Sequence, residues 1–557
     1  MALLIAAHLL LAGPVIEAAD YGLVADGRSD DGPAIAAAMA ALRAAGPSAR
    51  LAFPGGQTLR VTSAPQTWVF WLEGLQNVAV EGRGTTLILG PDLRFAFLRA
   101  NRGVRLSGFR VDHDPLPFAD GTVIGVNPDE RWIDVRVDEG YALPPDGGPT
   151  GEREQAYFAM LLHPARHGYL HEHYWVADQR EAEPGSRARR VLRVWRGEGG
   201  GWGQITPGVT RVSLPVRGIA HRMEGFGASV ELGVEGCEDV RLEDLDLWSP
   251  PLFGIGISRN RGLVTVRRVN VEPRPGTGRL TSAWRDGIHV KSNRAALVFE
   301  QCRLTGTHDD AFNIATHGYR VTAVHSPTEI EVNQVFPLGY VPFEPGDLLQ
   351  SYALARGGLQ PNARVVSSHD LAARDVADPT QPTVPQAITL AAPWPGVAVG
   401  DVVWNLSAAN PRTVLRECQM DNACRLQSPV RLERCRLTGL GWFYGDPVEG
   451  PLPHDVEVVG CTLRQGRGNP ELALVFGPSV TQPDGSPPQH REPSLRRLLL
   501  RDNEIDGAVS FAWCADVRLE SNRFVGPQSR LTMADCDGVA LVDNTREGQP
   551  LLAPDGP

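Results

Sequence analysis

Apolar residues recur along this chain in short alternating runs, each broken by the same kind of polar corner. "VRLEDLDL" from Val240, "VTVRRVNV" from Val264 and "LVFEQCRL" from Leu297 share one template. "TVLRECQM" from Thr413, "VRLERCRL" from Val430 and "VEVVGCTL" from Val456 repeat it, and "LLLRDNEI" from Leu498, "VRLESNRF" from Val517 and "VALVDNT" from Val539 carry it to the end. Two apolar positions two apart are followed by a polar corner, then by Cys, Asn or a small apolar residue, then by another apolar one. Period-two alternation marks strands rather than helices. Uninterrupted spacings of 24 (240 to 264), 26 (430 to 456), 19 (498 to 517) and 22 (517 to 539) residues mark stacked units. The pattern predicts an all-β fold, a parallel β-helix solenoid, right-handed by the usual crossover rule. Cys302, Cys418, Cys435 and Cys461 are expected to stack inside as small fillers, with Asn503, Asn522 and Asn544 forming a polar ladder at the same place. Such an inward stack needs no disulfides.

The rhythm is absent in three places. "DDGPAIAAAMAALRAAG" has Asp30 or Asp31 to cap, Pro33 in the first turn, an Ala-rich run and Gly46 to stop it, so it predicts a helix that closes the open end of the strand stack. Residues 113–215 and 318–406 read as two inserted small β modules, the second barrel-like. The expected organisation is thus a cap with first coils over 20–112, an insert over 113–215, coils over 216–317, a second insert over 318–406 and closing coils over 407–557. Residues 1–19, "MALLIAAHLLLAGPVIEAA", are apolar over a signal-peptide length and too short for a membrane span, so a secreted or periplasmic location is expected.

A net charge of −11 with pI near 5.7 argues against nucleic acid as a partner, and nothing later in the chain resembles a membrane helix. Phosphate-cradling glycine loops, nucleotide fingerprints and nucleophile elbows are missing, so no organic cofactor is expected. "HGYLHEHYW" places His171 and His173 on one strand face, but without a third ligand no metal is assigned to them.

Chemistry concentrates in one coil. "FGIGI" (Phe253), "DGIHV" (Asp286) and "DAFNI" (Asp310) align at offsets of 33 (253 to 286) and 24 (286 to 310) residues, which makes Asp286 and Asp310 rung neighbours. Asp309 stands one residue nearer the turn. Three carboxylates converging at a strand start conflict unless a proton, a cation or a substrate compensates. Glycoside hydrolysis wants this arrangement: one carboxyl protonates the leaving oxygen while another activates water or attacks, and an inverting pair stands about 6.5–9.5 Å apart. On this reading Asp286 and Asp310 jointly hold a water and Asp309 keeps the proton, with exchange of the roles of Asp286 and Asp309 the nearest rival. A Ca²⁺ site is the other use of three such oxygens. His289 and Asn313 share the outward parity of their strands and are open between sugar binding and a solvent-facing ladder. Trp284 either stacks on a sugar face or sits buried at a corner. Lys291, His317, Arg285 and Arg425 are further candidates, and "WFYGD" (Trp442–Asp446) either lines a far subsite or caps a coil.

"WRDGIHV" followed by "GTHDDAFNI" resembles the aspartate pattern of β-helix glycosidases, and "DYGLVADGRSDDGPAI" resembles the entry segment of the pectin-lyase-like superfamily. The polygalacturonases of glycoside hydrolase family 28 share that logic. The α-1,3-galactosidases of family 110 are closer, through His289, Asp309, Asp310, Asn313 and Ile314, through "VDHDPLPFADGTV" (Val111–Val123) and through the "GDLLQSY" insert. The resemblance implies an inverting, exo-acting α-galactosidase with Asp286, Asp309 and Asp310 as its catalytic aspartates, no cofactor, and a carbohydrate with a terminal α-linked sugar as substrate. A "RIK" motif that would grip a uronate is absent, which favours a neutral sugar. The alternatives are a family-28-like hydrolase of another polysaccharide and a non-catalytic β-helix that binds glycans or builds a spike. No oligomeric state follows from the sequence.

Overall fold

A computed structural model of the protein describes residues 13–147, 158–162, 172–197, 205–216, 230–335, 341–372, 384–427, 429–446, 448–466, 471–480, 486 and 489–555. The apolar alternation forms parallel strands that pair coil to coil. Val240, Leu242, Leu245 and Leu247 lie over Val264, Val266, Val269 and Val271, and all eight are buried. One face of the solenoid is an eleven-stranded sheet that runs from Trp68–Glu73 to Leu531–Ala534. The remaining faces join into one long sheet, because strands such as Arg102–His113, Glu238–Leu247 and Arg261–Val271 continue round a corner.

The polar corner of the template has a definite backbone. Gln301, Glu417, Arg434, Gly460, Asp502, Ser521 and Asp543 all lie in the left-handed region, with φ of 51–64°. Each immediately precedes the inward Cys or Asn of its coil. A left-handed residue is strained by about 1–2 kcal/mol where it carries a side chain, and the inward residue answers that strain. The Asn503 amide donates to Oδ1 of Asn522 (2.9 Å) and to the Val458 carbonyl (2.8 Å), and Asn522 repeats the pair with Asn544 and Leu500. Asn260, Asn293 and Asn410 form a second such ladder, which sequence reading missed although "SRN", "KSN" and "AAN" recur. Cys302, Cys418, Cys435 and Cys461 are buried at the equivalent corners, and all eight cysteines are free thiols.

The helix Gly32–Ala45 turns Ile35, Ala38, Met39 and Leu42 onto the first coils. Asp31 occupies its N-cap position, but its carboxylate accepts the Val24 and Ala25 amides instead of the helix's own, while Asp30 accepts the Gly32 amide at 3.1 Å.

Between the strands Arg102–His113 and Val230–Glu235 the chain forms a closed six-stranded antiparallel barrel around Val123, Ile133, Val135, Leu192, Val194 and Val212. Between Phe312–Ala315 and Arg412–Arg416 it forms a seven-stranded antiparallel sheet, in which pairing of Leu348–Ala353 with Val402–Asn405 closes a ring around Val321, Ile330, Val332, Leu349 and Ile388. In both modules the first strand pairs with the last: Phe118–Asn127 with Arg211–Pro215, and Tyr319–Ser326 with Val402–Asn405. Each module therefore leaves the solenoid and returns to it at nearly one place. His171 lies outside the described residues, and no helix among those described is long and apolar enough to cross a membrane.

Candidate active site

Register on the eleven-stranded face brings the expected residues together. Ile288 pairs with Phe312 and His289 with Asn313, so Asp286 and Asp310 begin neighbouring rungs; the next rung pairs Asn313 with Arg425. One oxygen each of Asp286, Asp309 and Asp310 lies within 4.8 Å of the other two. Asp286 and Asp310 are buried, and Asp309 is more open. Asn422 fixes this turn by donating to the carbonyls of Thr307 (3.1 Å) and Asp309.

Each carboxylate has its own partner. Asp286 meets Nδ1 of His289, Asp309 meets Arg285 at 3.1 Å, and Asp310 meets Nε of Arg425 at 2.8 Å. The Asn313 amide also donates to Asp310 at 3.3 Å. Burial, reinforced by the neighbouring Asp309 charge, pushes the Asp286 carboxyl well above the usual carboxylate range. Burial also raises Asp310 well above that range, against the pull of Arg425. His289 is held well below its ordinary value by burial and by Lys291, so it is neutral at neutral pH. Sequence reading gave the retained proton to Asp309. Burial instead raises Asp286 and Asp310, while Asp309 is half-buried and holds the Arg285 guanidinium.

A residue outside that reading completes the site. Glu449, in the turn after "WFYGDP", binds Lys291 and lies 3.9 Å from Arg425. Burial would raise its carboxyl, but Lys291 and Arg425 outweigh that and hold it well below the usual range. Four carboxylates (Asp286, Asp309, Asp310, Glu449) thus face three cations (Arg285, Lys291, Arg425), and one proton among the aspartates balances the set. Glu449 had one sequence signal, the turn itself: Asp446 Oδ1 accepts the amides of Val448 (2.7 Å) and Glu449.

The two barrels brace two different loops of this cluster. From the first, Asp120 accepts the Leu280 amide (2.9 Å) and Ser213 meets Thr281 (2.6 Å), while Asp112 of the adjoining coil holds Arg274 and Arg279; together they fix the loop that delivers Trp284, Arg285 and Asp286. From the second, Trp404 donates to the Asp446 carbonyl (3.2 Å) and Gln350 accepts the Leu452 amide (3.0 Å), which fixes the Glu449 turn. His317 sits at the root of the second module, donates from Nδ1 to the Val448 carbonyl at 2.6 Å, and does not touch the aspartates among its described contacts. Burial first, then Lys291, lowers its pKa to about 4. Trp284 is buried against His308 and the apolar cluster of Phe97, Phe118, Met160 and Phe253, so it anchors the loop rather than offering a sugar face.

Chemically, the arrangement offers a proton held on buried carboxyls, an ionised Glu449 beside Lys291 and Arg425, and hydrogen-bonding side chains around them. The three oxygens would also suit a hard cation, although Arg285 and Arg425 already supply counter-charge. The 4.8 Å approach is between single oxygens, a different measure from the 6.5–9.5 Å between the carboxyl groups of an inverting pair.

No protein-family model matches the chain. Alpha-1,3-galactosidase A of Shewanella woodyi is 25% identical over 287 residues, covering 50% of this chain and 45% of that protein. Its namesake in Akkermansia muciniphila is 26% identical over 275 residues, covering 46% and 43%. Solved structures similar to this one include the tailspike protein of E. coli bacteriophage HK620 in complex with a pentasaccharide (TM-score 0.39, 8% identity, 94% of this chain and 64% of that one). A family 28 exopolygalacturonase of Yersinia enterocolitica gives a TM-score of 0.32 at 11% identity over 97% of this chain and 79% of that one. The chain spans about half the length of the curated relatives it matches, and over that half it is similar to proteins named alpha-1,3-galactosidase.

Proposed function

We propose that this chain is a glycoside hydrolase that removes a terminal α-linked galactose, α-1,3-linked in the first instance, and that Asp286, Asp309 and Asp310 carry the reaction. One observation supports it most: three aspartates from two rungs meet within 4.8 Å, in a setting that raises two of them and gives two of them arginine partners. Similarity to the galactosidases supports the choice of sugar. Asp286 is the general acid, because burial and the Asp309 charge raise its carboxyl against the pull of Arg285 and Arg425, and its direct partner is the imidazole of His289. Asp309, beside Arg285, acts as the base or nucleophile, and Asp310, raised by burial but paired with Arg425, shares the retained proton with Asp286. His289, Asn313, Lys291 and Arg425 bind substrate hydroxyls or orient the carboxylates. Export is part of the proposal and rests on the apolar opening run alone.

Two stereochemical readings are each carried by an observation. Resemblance to the galactosidases implies inversion, whereas oxygens that approach within 4.8 Å are also compatible with the closer carboxyl pair of a retaining enzyme. The anomer released first, followed by proton NMR, separates them. Turnover is measured on nitrophenyl α-galactoside and on the α-1,3-linked galactose disaccharide, with wild type, Asp286→Asn and Asp309→Asn. Asp286→Asn should lose far more on the disaccharide than on the nitrophenyl glycoside, whose leaving group needs no proton. Turnover by Asp309→Asn equal to wild type would remove Asp309 from the mechanism, and no turnover of any galactoside by wild type would remove the substrate.

A further inference from the structure

The outward positions of the catalytic face form one register: Gly233, Gly256, His289, Asn313, Arg425, Trp442. The two sides of the aspartate cluster differ along it. Toward the N-terminal coils, Phe97 covers Gly233, where an added Cβ would lie 2.3 Å from the Phe97 ring. Phe97 itself is buried with Phe118, Met160 and Leu162 of the first barrel, so that side is walled. Toward the C-terminal coils the register passes through Trp442 and on to Val475, Ser510 and Thr532; Trp442 is 37% exposed and the only exposed tryptophan among the described residues.

Strand alternation explains why position 442 points outward: Phe443 is directed inward and stacks on Phe476 at 4.4 Å. It does not explain an indole there, since a polar residue would satisfy the fold equally. The ring is held in place. Tyr444 packs against it at 5.0 Å, and the Arg425 guanidinium lies 5.6 Å from its centroid. Arg425 in turn donates to the Tyr444 hydroxyl (2.9 Å) and pairs with Asp310. A rigid, half-open aromatic surface is thus tied through one arginine to a reacting carboxylate. At a rung spacing of about 4.8 Å it stands about 10 Å along the solenoid from Asn313.

We propose that Trp442 is the platform of a second sugar subsite on the leaving-group side, so that the substrate is the end of an oligosaccharide and not an isolated galactoside. The terminal sugar then occupies the walled side, over Gly256 and His289, and the rest of the chain runs toward the C-terminal coils across Arg425 onto the indole. The subsite rests on the glycosidase reading above. Its test compares kcat/KM on methyl α-galactoside with that on a trisaccharide bearing terminal α-1,3-galactose, for wild type, Trp442→Ala and Trp442→Phe, with thermal midpoints recorded to confirm folding. Trp442→Ala should lose at least tenfold more on the trisaccharide than on the methyl glycoside, mainly through KM, and Trp442→Phe should recover most of the difference. Equal losses on both substrates, or no loss on either, overturn the subsite while leaving the glycosidase reading intact. No turnover of either substrate by wild type overturns that reading and the subsite with it.

Discussion

Two stacks of like side chains run through this solenoid and behave in opposite ways. In the ladder of Asn503, Asn522 and Asn544 each amide both donates and accepts, so stacking one on another satisfies all three. Asp286 and Asp310 are stacked by the same coil geometry, with Asp309 beside them, but ionised carboxylates only accept and repel one another. The amide stack steadies the corner residues around it. The carboxylate stack is held together by what surrounds it: Arg285, Arg425, His289 and, through Lys291, Glu449. A repeat fold thus offers the same shelf at every rung, and the chemistry of the side chain decides whether that shelf is structural or reactive.

The largest expected effect is on turnover. Asp286→Asn, which turns one carboxyl rung into an amide, should lower hydrolysis of the α-1,3-linked galactose disaccharide by about 10³-fold or more, while the thermal midpoint holds or rises because a buried acid raised above its ordinary pKa is gone. A clear fall in midpoint would show that the carboxylate stack is itself stabilising and would break the comparison. The reverse exchange sharpens it: Asn522→Asp puts a carboxylate into the amide ladder and should cost about 3 kcal/mol or more at neutral pH by chemical denaturation. Stability should recover as the pH falls, since a protonated carboxyl can donate again, and specific activity should stay unchanged. The smallest effect is on pH dependence. The folded-state pKa values of Asp286 and Asp310 are raised above the ordinary 3.8, so over the window above that value the native state keeps protons that the unfolded chain has released. Stability from these groups is present at low pH and is lost as pH rises through the window. The midpoint difference between Asp286→Asn and wild type should therefore widen from pH 4 toward neutrality; a constant difference would mean that Asp286 is not raised.

How much of this was legible depended on range. The coils were readable because alternation and corner are local, and the corner recurs at every turn. The stacking of Asp286 and Asp310 was readable because only 24 residues separate them (286 to 310). Glu449 was not, since it comes from a turn whose placement depends on Trp404 and Gln350 of the second barrel. Trp284 was left open because alternation does not say whether a corner side chain looks into the core or into a cleft. Giving the proton to Asp309 rests on like-charge repulsion, whereas the burial that raises Asp286 and Asp310 is not weighed by a one-dimensional pattern.

Asn422 grips Thr307 and the Asp309 carbonyl from 115 residues further along the chain. Closing a flexible loop of that length opposes folding by an entropy that grows with its logarithm. The second barrel removes much of that obstacle: its first and last strands pair through Tyr319 and Val403, and Asn410 then donates to the Ala315 carbonyl at 2.9 Å. Once folded, the barrel presents the two broken ends of the solenoid side by side, a distant contact becomes a nearby one, and the next coil can dock. The insert thereby lowers the entropic cost of every contact between the coils on either side of it, that of Arg425 with Asp310 included.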